Sequence, residues 1–329
     1  CRAPRHPSPA MSELGPGAAS FFDPHFHIWD VSESTQSGHD GKILFKPGGK
    51  ECYLRSDYEA EFAGLPSPLR HRGGVFVEGV SVCHPGLSGP EFSLRCLEEA
   101  KFARYCLSTA AGEAVSYLLV PTCALEQPDA AEVLRELARS PATRGVRQIL
   151  NFEPNWPRNG ALGDLLDSPQ WREGFGLLKT VGFSFDMQLN PPQYQKAVAL
   201  LKEHLDTTVI INHLGCPTMA DLTEKKDQYW SGMEALAALP NTYIKLSMLC
   251  YADPNWDESE VVVSAVHRVI STFGASRCMF ASNYPVDVKD GWPAARLFSA
   301  FLKLAERYSD EERAHLFIGA AQRAYRWVQ

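Results

Sequence analysis

His25 and His27, separated by a single residue, stand near the start of the chain in the run DPHFHIWD at 23–30. Alternate side chains of a β-strand share one face, so a strand here would point both histidines the same way, together with Asp23 and Trp29. Two imidazoles that converge in this manner can hold a metal ion or polarise a carbonyl group. Two hydrogen-bonded core histidines are the structural alternative, and the aromatic residue that follows the pair favours a functional interpretation.

Polar residues recur towards the ends of the other apolar segments. The segment TVIINHLGCP at 208–217 carries His213 directly after its apolar run. Charged groups inside strands cost free energy unless they are paired or functional, so each is either part of a core salt bridge or part of a site. The candidates for substrate binding are Glu78, Arg147, Asp186, Gln188 and Lys245, and the segment ASNYPVD adds Asn283 and Asp287.

Eight short apolar segments, separated by amphipathic stretches, must position these residues. The predicted strands lie at 21–29, 74–81, 115–122, 145–150, 182–189, 208–214, 242–248 and 278–284, and the clearest helices at 90–111, 128–139, 191–204, 293–308 and 310–329. Alternating β and α units predict an α/β fold with a parallel sheet, and eight strands close a (β/α)8 TIM barrel. An open doubly wound sheet is the rival, disfavoured because no GxGxxG or Walker loop follows the first strand. The polar residues cluster at the carboxyl ends of the strands, where barrel enzymes keep their active sites.

The length of 329 residues suits a single barrel domain over 21–329, preceded by a leader over 1–20 that we expect to be disordered. Residues 1–10 precede Met11 and are a candidate for sequence upstream of the natural start. The long first βα loop, 31–60, contains KPGGK and is predicted to cover the barrel mouth as a lid. His84, after the second strand, is a further candidate to reach the site.

The composition narrows the class of protein. Apolar residues make up 45% of the chain and charged residues 22%, as in ordinary globular proteins, and the formal net charge is -7. That charge argues against nucleic acid and acidic membrane surfaces as partners, and no apolar run approaches the roughly 20 residues of a membrane helix. The nine cysteines show no CxxC pair or zinc spacing, which predicts reduced thiols in a cytoplasmic protein. We expect a small-molecule substrate and either a monomer or a homo-oligomer.

The motifs together resemble a known family. HxHxWD on the first strand, HLGxP on the sixth and MFxSxxP on the eighth resemble the amidohydrolase-related (amidohydrolase 2) proteins, with supporting matches in FVEG at 76–79, GVRQIL at 145–150, FDMQL at 185–189 and IKLSML at 244–249. The branch that looks most similar contains predicted metal-dependent hydrolases of TIM-barrel fold, among them sugar lactonases and a pyrone-dicarboxylate lactonase. The resemblance covers nearly the whole chain, from Asp23 to Trp327.

The resemblance implies roles for particular residues. His25, His27 and His213 match histidines that bind metal and act in catalysis in the family, and Arg147 matches an arginine that lies near the substrate. Asn283 stands where most members have an aspartate that activates water. The fourth strand has no lysine, which argues against the carboxylated-lysine bridge of binuclear members. The resemblance thus implies one divalent ion, zinc or manganese, or a lactonase that works without metal.

The predicted function is the hydrolysis of a small cyclic ester, a sugar lactone or a carboxylate-bearing lactone, by attack of water on a carbonyl that the histidines polarise. Asp186 and Gln188 would orient the substrate or a histidine. Asp287 or a metal-bound hydroxide would supply the base that Asn283 cannot, since a neutral amide accepts no proton from water. The alternatives are a metal-dependent decarboxylase of the same superfamily and a barrel that has lost catalysis and only binds a ligand.

Overall fold

Ten strands, counted over the part of the chain that the structure describes, build the framework of the molecule. The computed structural model describes residues 19–32, 51–79, 89–109, 113, 115–152 and 163–327, here called the described residues. The strands are β1 (Ala19–Phe26), β2 (Trp29–Asp30), β3 (Cys52–Tyr53), β4 (Leu69–Val77), β5 (Ser116–Val120), β6 (Gly145–Ile149), β7 (Ser184–Gln188), β8 (Val209–Ile211), β9 (Thr242–Leu246) and β10 (Cys278–Phe280). β2 and β3 pair in antiparallel orientation, and the other eight strands run parallel to their neighbours.

The eight parallel strands close into a ring. Backbone hydrogen bonds join β1, β4 and β5 in one sheet and β6 to β10, in chain order, in another. The parallel bridge Thr122–Arg147 joins the two sheets on one side, and the bridge Phe26–Tyr284 joins them on the other. The molecule is therefore a (β/α)8 barrel, as the sequence predicts, in which the last strand neighbours the first.

Helices surround this ring, except for the last of them, which closes one end of the barrel. They are α1 (Arg55–Glu61), α2 (Gly89–Cys106), α3 (Ala130–Leu137), α4 (Pro169–Gly176), α5 (Leu178–Val181), α6 (Tyr194–Lys202), α7 (Met219–Leu222), α8 (Lys226–Ala237), α9 (Glu260–Phe273), α10 (Val286–Lys289), α11 (Ala294–Ala305), α12 (Asp310–Ala314) and α13 (Ala320–Ala324). Apolar residues at helical spacing give each long helix one buried face. In α9 that face consists of Val262, Ala265, Val266, Val269, Ile270 and Phe273.

Alternate residues of each strand point outwards and inwards, so the barrel has two apolar layers. These two layers hold the barrel together. The outer layer lies between strands and helices and includes Phe26, Phe185, Ile211, Ile244 and Phe280. The inner layer fills the barrel and consists of Phe22, Val75, Val77, Leu118, Val120, Ile210 and Met279, packed against Ala320, Ala321, Ala324, Tyr325 and Trp327. Residues 320–327 therefore form the floor of the barrel.

Several local expectations differ from the structure. The first strand begins at Ala19, two residues inside the predicted leader. The predicted loop 31–60 contains the helix α1, and its central part, 33–50, lies outside the described residues, as does His84. The predicted closing helix over 310–329 is divided into α12, a π-helical turn at His315–Gly319 and α13.

The sequence composition led to expectations about membrane helices and about disulfides, and both features can be examined in the described residues. No helix among them is long and apolar enough to cross a membrane. None of the seven cysteines among the described residues forms a disulfide bond.

Candidate active site

His25 and His27 project into the barrel from the end of β1. His25 lies within the strand, His27 follows directly after it, and both are buried. The centroids of their rings are 4.9 Å apart, and the ring of His213 lies 4.5 Å from that of His25. The three imidazoles that the sequence predicts to share a site therefore lie together at the carboxyl end of the barrel.

His213 is presented by a turn with an unusual backbone. Directly after β8, residues His213, Leu214 and Cys216 adopt positive φ angles of 55°, 53° and 57°, with Gly215 between them at 78°. Positive φ is unfavourable for residues that carry a Cβ, and such conformations concentrate at functional sites. The Tyr194 hydroxyl donates to the Gly215 carbonyl oxygen at 2.6 Å, and a Cβ at Gly215 would lie only 2.1 Å from that hydroxyl oxygen. The turn thus requires glycine at this position.

Two buried cations flank His25. Lys245 Nζ lies 3.1 Å from its Nδ1, and Arg147 Nη1 lies 3.5 Å from its Nε2. Arg147 is held in place by Glu78, whose carboxylate accepts from Nε at 3.1 Å and whose carbonyl accepts from Nη2 at 2.6 Å. Arg147 Nη1 also donates to Gln188 Oε1 at 2.8 Å. Glu78 and Gln188, predicted to bind substrate, thus contact Arg147 directly.

Lys245 is held in place by the carboxylate of Asp186. The two form an ion pair whose side chains are wholly buried. Asp186 also accepts hydrogen bonds from Asn212 Nδ2 at 3.0 Å and from the Tyr325 hydroxyl at 2.9 Å. Asp186 was expected to orient the substrate or a histidine, and in the structure its carboxylate acts on His25 through Lys245.

Burial and positive charge keep the three imidazoles neutral. Burial, reinforced by Lys245, holds the pKa of His25 well below its usual value, and burial with the charge of Arg147 does the same for His213. Burial and Arg147 lower the pKa of His27 to about 3. Burial also lowers the pKa of Lys245 to about 8, against the opposing effect of Asp186. The site therefore presents neutral imidazole nitrogens beside fixed cations at neutral pH.

Asn283 lies between His27 and Asp287. The Nδ1 atom of His27 lies 2.9 Å from the Val77 carbonyl oxygen and so carries the proton. The unprotonated Nε2 lies 3.3 Å from Asn283 Oδ1, which is also an acceptor, so no hydrogen bond joins these two atoms. Asn283 Nδ2 donates to Asp287 Oδ1 at 2.7 Å. Burial raises the pKa of Asp287 to about 8, so this carboxyl is largely protonated at pH 7. A protonated carboxyl accepts no proton, which counts against the predicted role of Asp287 as the base.

Asp23 lies away from the histidine face to which the alternation assigned it. Its carboxylate accepts from the backbone N–H of Ser282 at 2.9 Å, from the Ser282 hydroxyl at 2.5 Å and from the Tyr58 hydroxyl at 2.8 Å. The pairing of β1 with β4 shifts register on both sides of Asp23, so strict alternation does not hold there. The ring of Trp29 lies 6.5 Å from that of His27, centroid to centroid, and 6.0 Å from that of Tyr53.

Three contributors to the cluster were not among the predicted site residues. They are Ser247, whose hydroxyl lies 2.9 Å from His213 Nδ1, together with Asn212 and Tyr325, which hold Asp186. Asn212 could have been found by the criterion that selected Asn283, since it stands at the carboxyl end of a strand, and Ser247 follows from the alternation that it shares with Lys245. Tyr325 offers no such signal, because it follows a helix.

The arrangement does not suit a divalent metal ion at His25. A neutral imidazole has one lone pair, and both ring nitrogens of His25 face a cationic side chain, so neither tautomer leaves a lone pair for a metal. His27 and His213 remain as nitrogen ligands, and the neighbouring Asn283 supplies a neutral amide in place of a carboxylate. Among the described residues, no group of three or more histidines, cysteines or acids is placed to hold an ion. The cationic charge at this site is that of Arg147 and Lys245.

The fold and the site define a (β/α)8-barrel protein with an imidazole-rich centre at the carboxyl ends of its strands. The sequence profile described as amidohydrolase matches residues 94–327, and the chain belongs to that family. An uncharacterised protein of Sinorhizobium fredii, y4mH, is 27% identical over 314 residues, which are 93% of this chain and 98% of that protein. The L-fucono-1,5-lactonase of Burkholderia ambifaria is 28% identical over 235 residues, which are 68% of this chain and 75% of the lactonase.

Solved structures show the same fold at lower sequence identity. An amidohydrolase from Burkholderia multivorans with bound zinc superposes with a TM-score of 0.69 at 22% identity, over 94% of this chain and 99% of that chain. A dihydroxybenzoic acid decarboxylase from Polaromonas sp. JS666, with bound manganese and an inhibitor, gives a TM-score of 0.58 at 12% identity, over 94% of this chain and 97% of that one. Proteins of this fold therefore include ones that hold zinc or manganese.

Proposed function

We propose that this chain is a hydrolase that opens a small lactone by attack of water on the ester carbonyl. The observation that carries the proposal is the placement of Arg147 and Lys245, two buried cations, on either side of the neutral His25. Membership of the amidohydrolase family supports a hydrolytic reaction, and the similarity to a fuconolactonase supports a cyclic ester as the substrate class.

The cations would stabilise the charge that ester hydrolysis develops. Attack of water on the carbonyl carbon places negative charge on the carbonyl oxygen, and N–H donors fixed in a buried site stabilise that oxyanion without reorganisation. Arg147 and Lys245 are both fixed in this way, by Glu78 and by Asp186 respectively. A guanidinium also suits the hydroxyl and carboxylate groups of a sugar lactone or a carboxylate-bearing lactone.

His213 is our candidate to take the proton from the attacking water. Its Nδ1 lies 2.9 Å from the Ser247 hydroxyl, which leaves Nε2 for the proton. Burial and Arg147 hold the pKa of His213 low in the free protein, and negative charge that develops on the substrate raises it. The protonated imidazole then returns the proton to the ring oxygen as the carbon–oxygen bond of the ring breaks. The product is an open-chain hydroxy acid.

The proposed mechanism uses no metal, because the surroundings of His25 do not suit one. A zinc- or manganese-dependent version, which the metal-bound structures of the same fold make the natural alternative, requires Arg147 or Lys245 to withdraw from His25. Metal analysis of the purified protein, before and after treatment with a chelator, distinguishes the two versions. Full activity in chelator-treated protein is the expected result, and activity that returns only with added zinc or manganese contradicts it.

The reaction is tested with a panel of five- and six-membered sugar lactones and carboxylate-bearing lactones, with acid release followed by a pH indicator. We expect at least one lactone to be opened, and the variant His213→Gln to lose about 100-fold or more of kcat. His204→Gln, which changes a half-buried histidine on the outside of the barrel, is the matched control and is expected to leave kcat unchanged.

Other outcomes would replace the proposal. Release of carbon dioxide from dihydroxybenzoic acids, with no lactone opened, would assign the chain to the decarboxylases. Retained binding of lactones without turnover of any compound would show a barrel that has lost catalysis. Equal activity of His213→Gln and the wild type on a lactone would leave the reaction standing and remove His213 from its mechanism.

A further inference from the structure

Residues 325–327 plug the amino end of the barrel. Trp327 stacks on Phe22 with ring centroids 4.2 Å apart, and its Nε1 donates to the Ser116 hydroxyl at 2.7 Å. Arg326 donates to the Arg144 carbonyl oxygen at 2.7 Å. Ser116 opens β5 and Arg144 directly precedes β6, so these contacts lie at the opposite end of the barrel from the histidines.

One side chain of this plug reaches the polar centre. The hydroxyl of Tyr325, which is wholly buried, lies 2.9 Å from each carboxylate oxygen of Asp186. The Lys245 ammonium lies 5.5 Å from the centroid of the Tyr325 ring, within the range of a cation–π contact. Tyr325 thus contacts both members of the buried ion pair from the floor of the barrel.

The Tyr325 hydroxyl supplies a further hydrogen-bond donor to the carboxylate of the ion pair. A carboxylate has about four acceptor positions, and Asp186 receives donors from Lys245 and Asn212 besides Tyr325. A buried ion pair is favourable only when its geometry is good and its remaining lone pairs are satisfied. Without the hydroxyl, the Asp186 carboxylate could turn about its side-chain bond, and Lys245 would follow it away from His25 Nδ1.

From this chain of contacts we propose that Tyr325 is a positioning residue of the active site, which holds Lys245 against His25 through Asp186. The expected effect of Tyr325 on turnover rests on the proposed function. Its expected effect on the position of Lys245 rests on the contacts alone. It makes the C-terminal segment, on the far side of the barrel from the substrate, a determinant of turnover.

The test compares Tyr325→Phe with Trp327→Phe. Each removes one hydrogen-bonding group from the same plug and keeps an aromatic ring, but only the first touches Asp186. On the best lactone, Tyr325→Phe is expected to lower kcat about 10-fold or more with KM within about twofold, because the lost interaction acts on the transition state. Trp327→Phe is expected to keep both constants within about twofold. Equal kinetic effects of the two variants would overturn the proposal.

A second readout does not depend on activity. In protein labelled with ¹⁵N at lysine Nζ, a buried and hydrogen-bonded ammonium gives an NMR signal protected from solvent exchange, assigned to Lys245 by its absence in Lys245→Met. Tyr325→Phe is expected to shift or broaden this signal, whereas Trp327→Phe leaves it in place. If Tyr325→Phe leaves the signal unchanged, Tyr325 does not position Lys245 and the proposal is wrong.

The remaining combinations are also decisive. A signal that responds in a protein that opens no lactone would support the positioning contact and reject the proposed function. A signal that responds without any change in kcat would reject a role for Tyr325 in turnover. If Tyr325→Phe does not fold, Tyr325→4-aminophenylalanine keeps a donor at the same place and is expected to retain both the signal and kcat; loss of either in that folded variant contradicts the proposal.

Discussion

Replacement of Asp287 by asparagine should change the way in which stability depends on pH. Burial raises the pKa of Asp287 from 3.8 to about 8 in the folded protein. Between those two values the unfolded chain has released this proton and the folded chain has kept it. The folded state therefore binds more protons, and the free energy of unfolding falls as pH rises. Asp287→Asn has no such proton to lose.

The size of the effect follows from the same two pKa values. Each pH unit inside the window changes the free energy of unfolding by about 1.4 kcal/mol. From pH 5 to pH 8, the wild type should therefore lose about 4 kcal/mol relative to Asp287→Asn. Burial also lowers the pKa values of the three histidines of the site. This reduces the free energy of unfolding below pH 6.5, the ordinary histidine pKa, by the same amount in wild type and Asp287→Asn. The contribution of the histidines therefore cancels in the comparison.

Urea titrations of both proteins at pH 5, 6, 7 and 8 measure this difference. Glu224→Gln, which removes an exposed carboxylate elsewhere on the surface, is the control and should change stability by less than about 0.5 kcal/mol at every pH. A constant difference between wild type and Asp287→Asn would mean that Asp287 is ionised throughout. That result would refute the argument from burial and restore Asp287 as a candidate base.

Three further substitutions test the site. Lys245→Met should destabilise the protein by about 3–5 kcal/mol in urea, because Asp186 is left as a buried charge, and Lys245→Met combined with Asp186→Asn should recover most of that loss. Gly215→Ala should lower Tm more than Gly182→Ala does, since both glycines have positive φ but only at Gly215 would a Cβ meet neighbouring atoms; equal shifts would contradict the packing argument. Asn283→Asp should create measurable zinc affinity in calorimetry by adding a carboxylate beside two imidazoles, and no gain would show that the neighbouring cations alone prevent binding.

The barrel could be predicted from sequence because its signals are local. The parallel strands are short and largely apolar, and several carry a charged residue within the strand, such as Arg147 in β6, Asp186 in β7 and Lys245 in β9. A ring of such strands brings their carboxyl ends together, so the predicted grouping of His25, His27 and His213 needed only the number of strands and their direction.

The hydrogen bonds and ion pairs that connect the residues of the site could not be predicted in the same way. The contact of Tyr325 with Asp186 joins residues 139 positions apart and depends on how a helix enters the barrel floor. Asp23 was assigned to the wrong face because register shifts in β1 break the alternation on which the assignment relied. The pairing of Arg147 with Glu78 follows from the distance between two strands, which no local pattern encodes.

The closure of the ring has a consequence for the order of folding. Asp23 and Ser282 are 259 residues apart, and their hydrogen bonds, with the bridge Phe26–Tyr284, join the first strand to the last. During synthesis β1 emerges early and must wait for almost the whole chain before its second neighbour exists, and contacts of such long range form slowly. His27 and Asn283 lie on opposite sides of this seam. A nascent or truncated chain that lacks the last strand therefore carries all three histidines but cannot assemble the complete site.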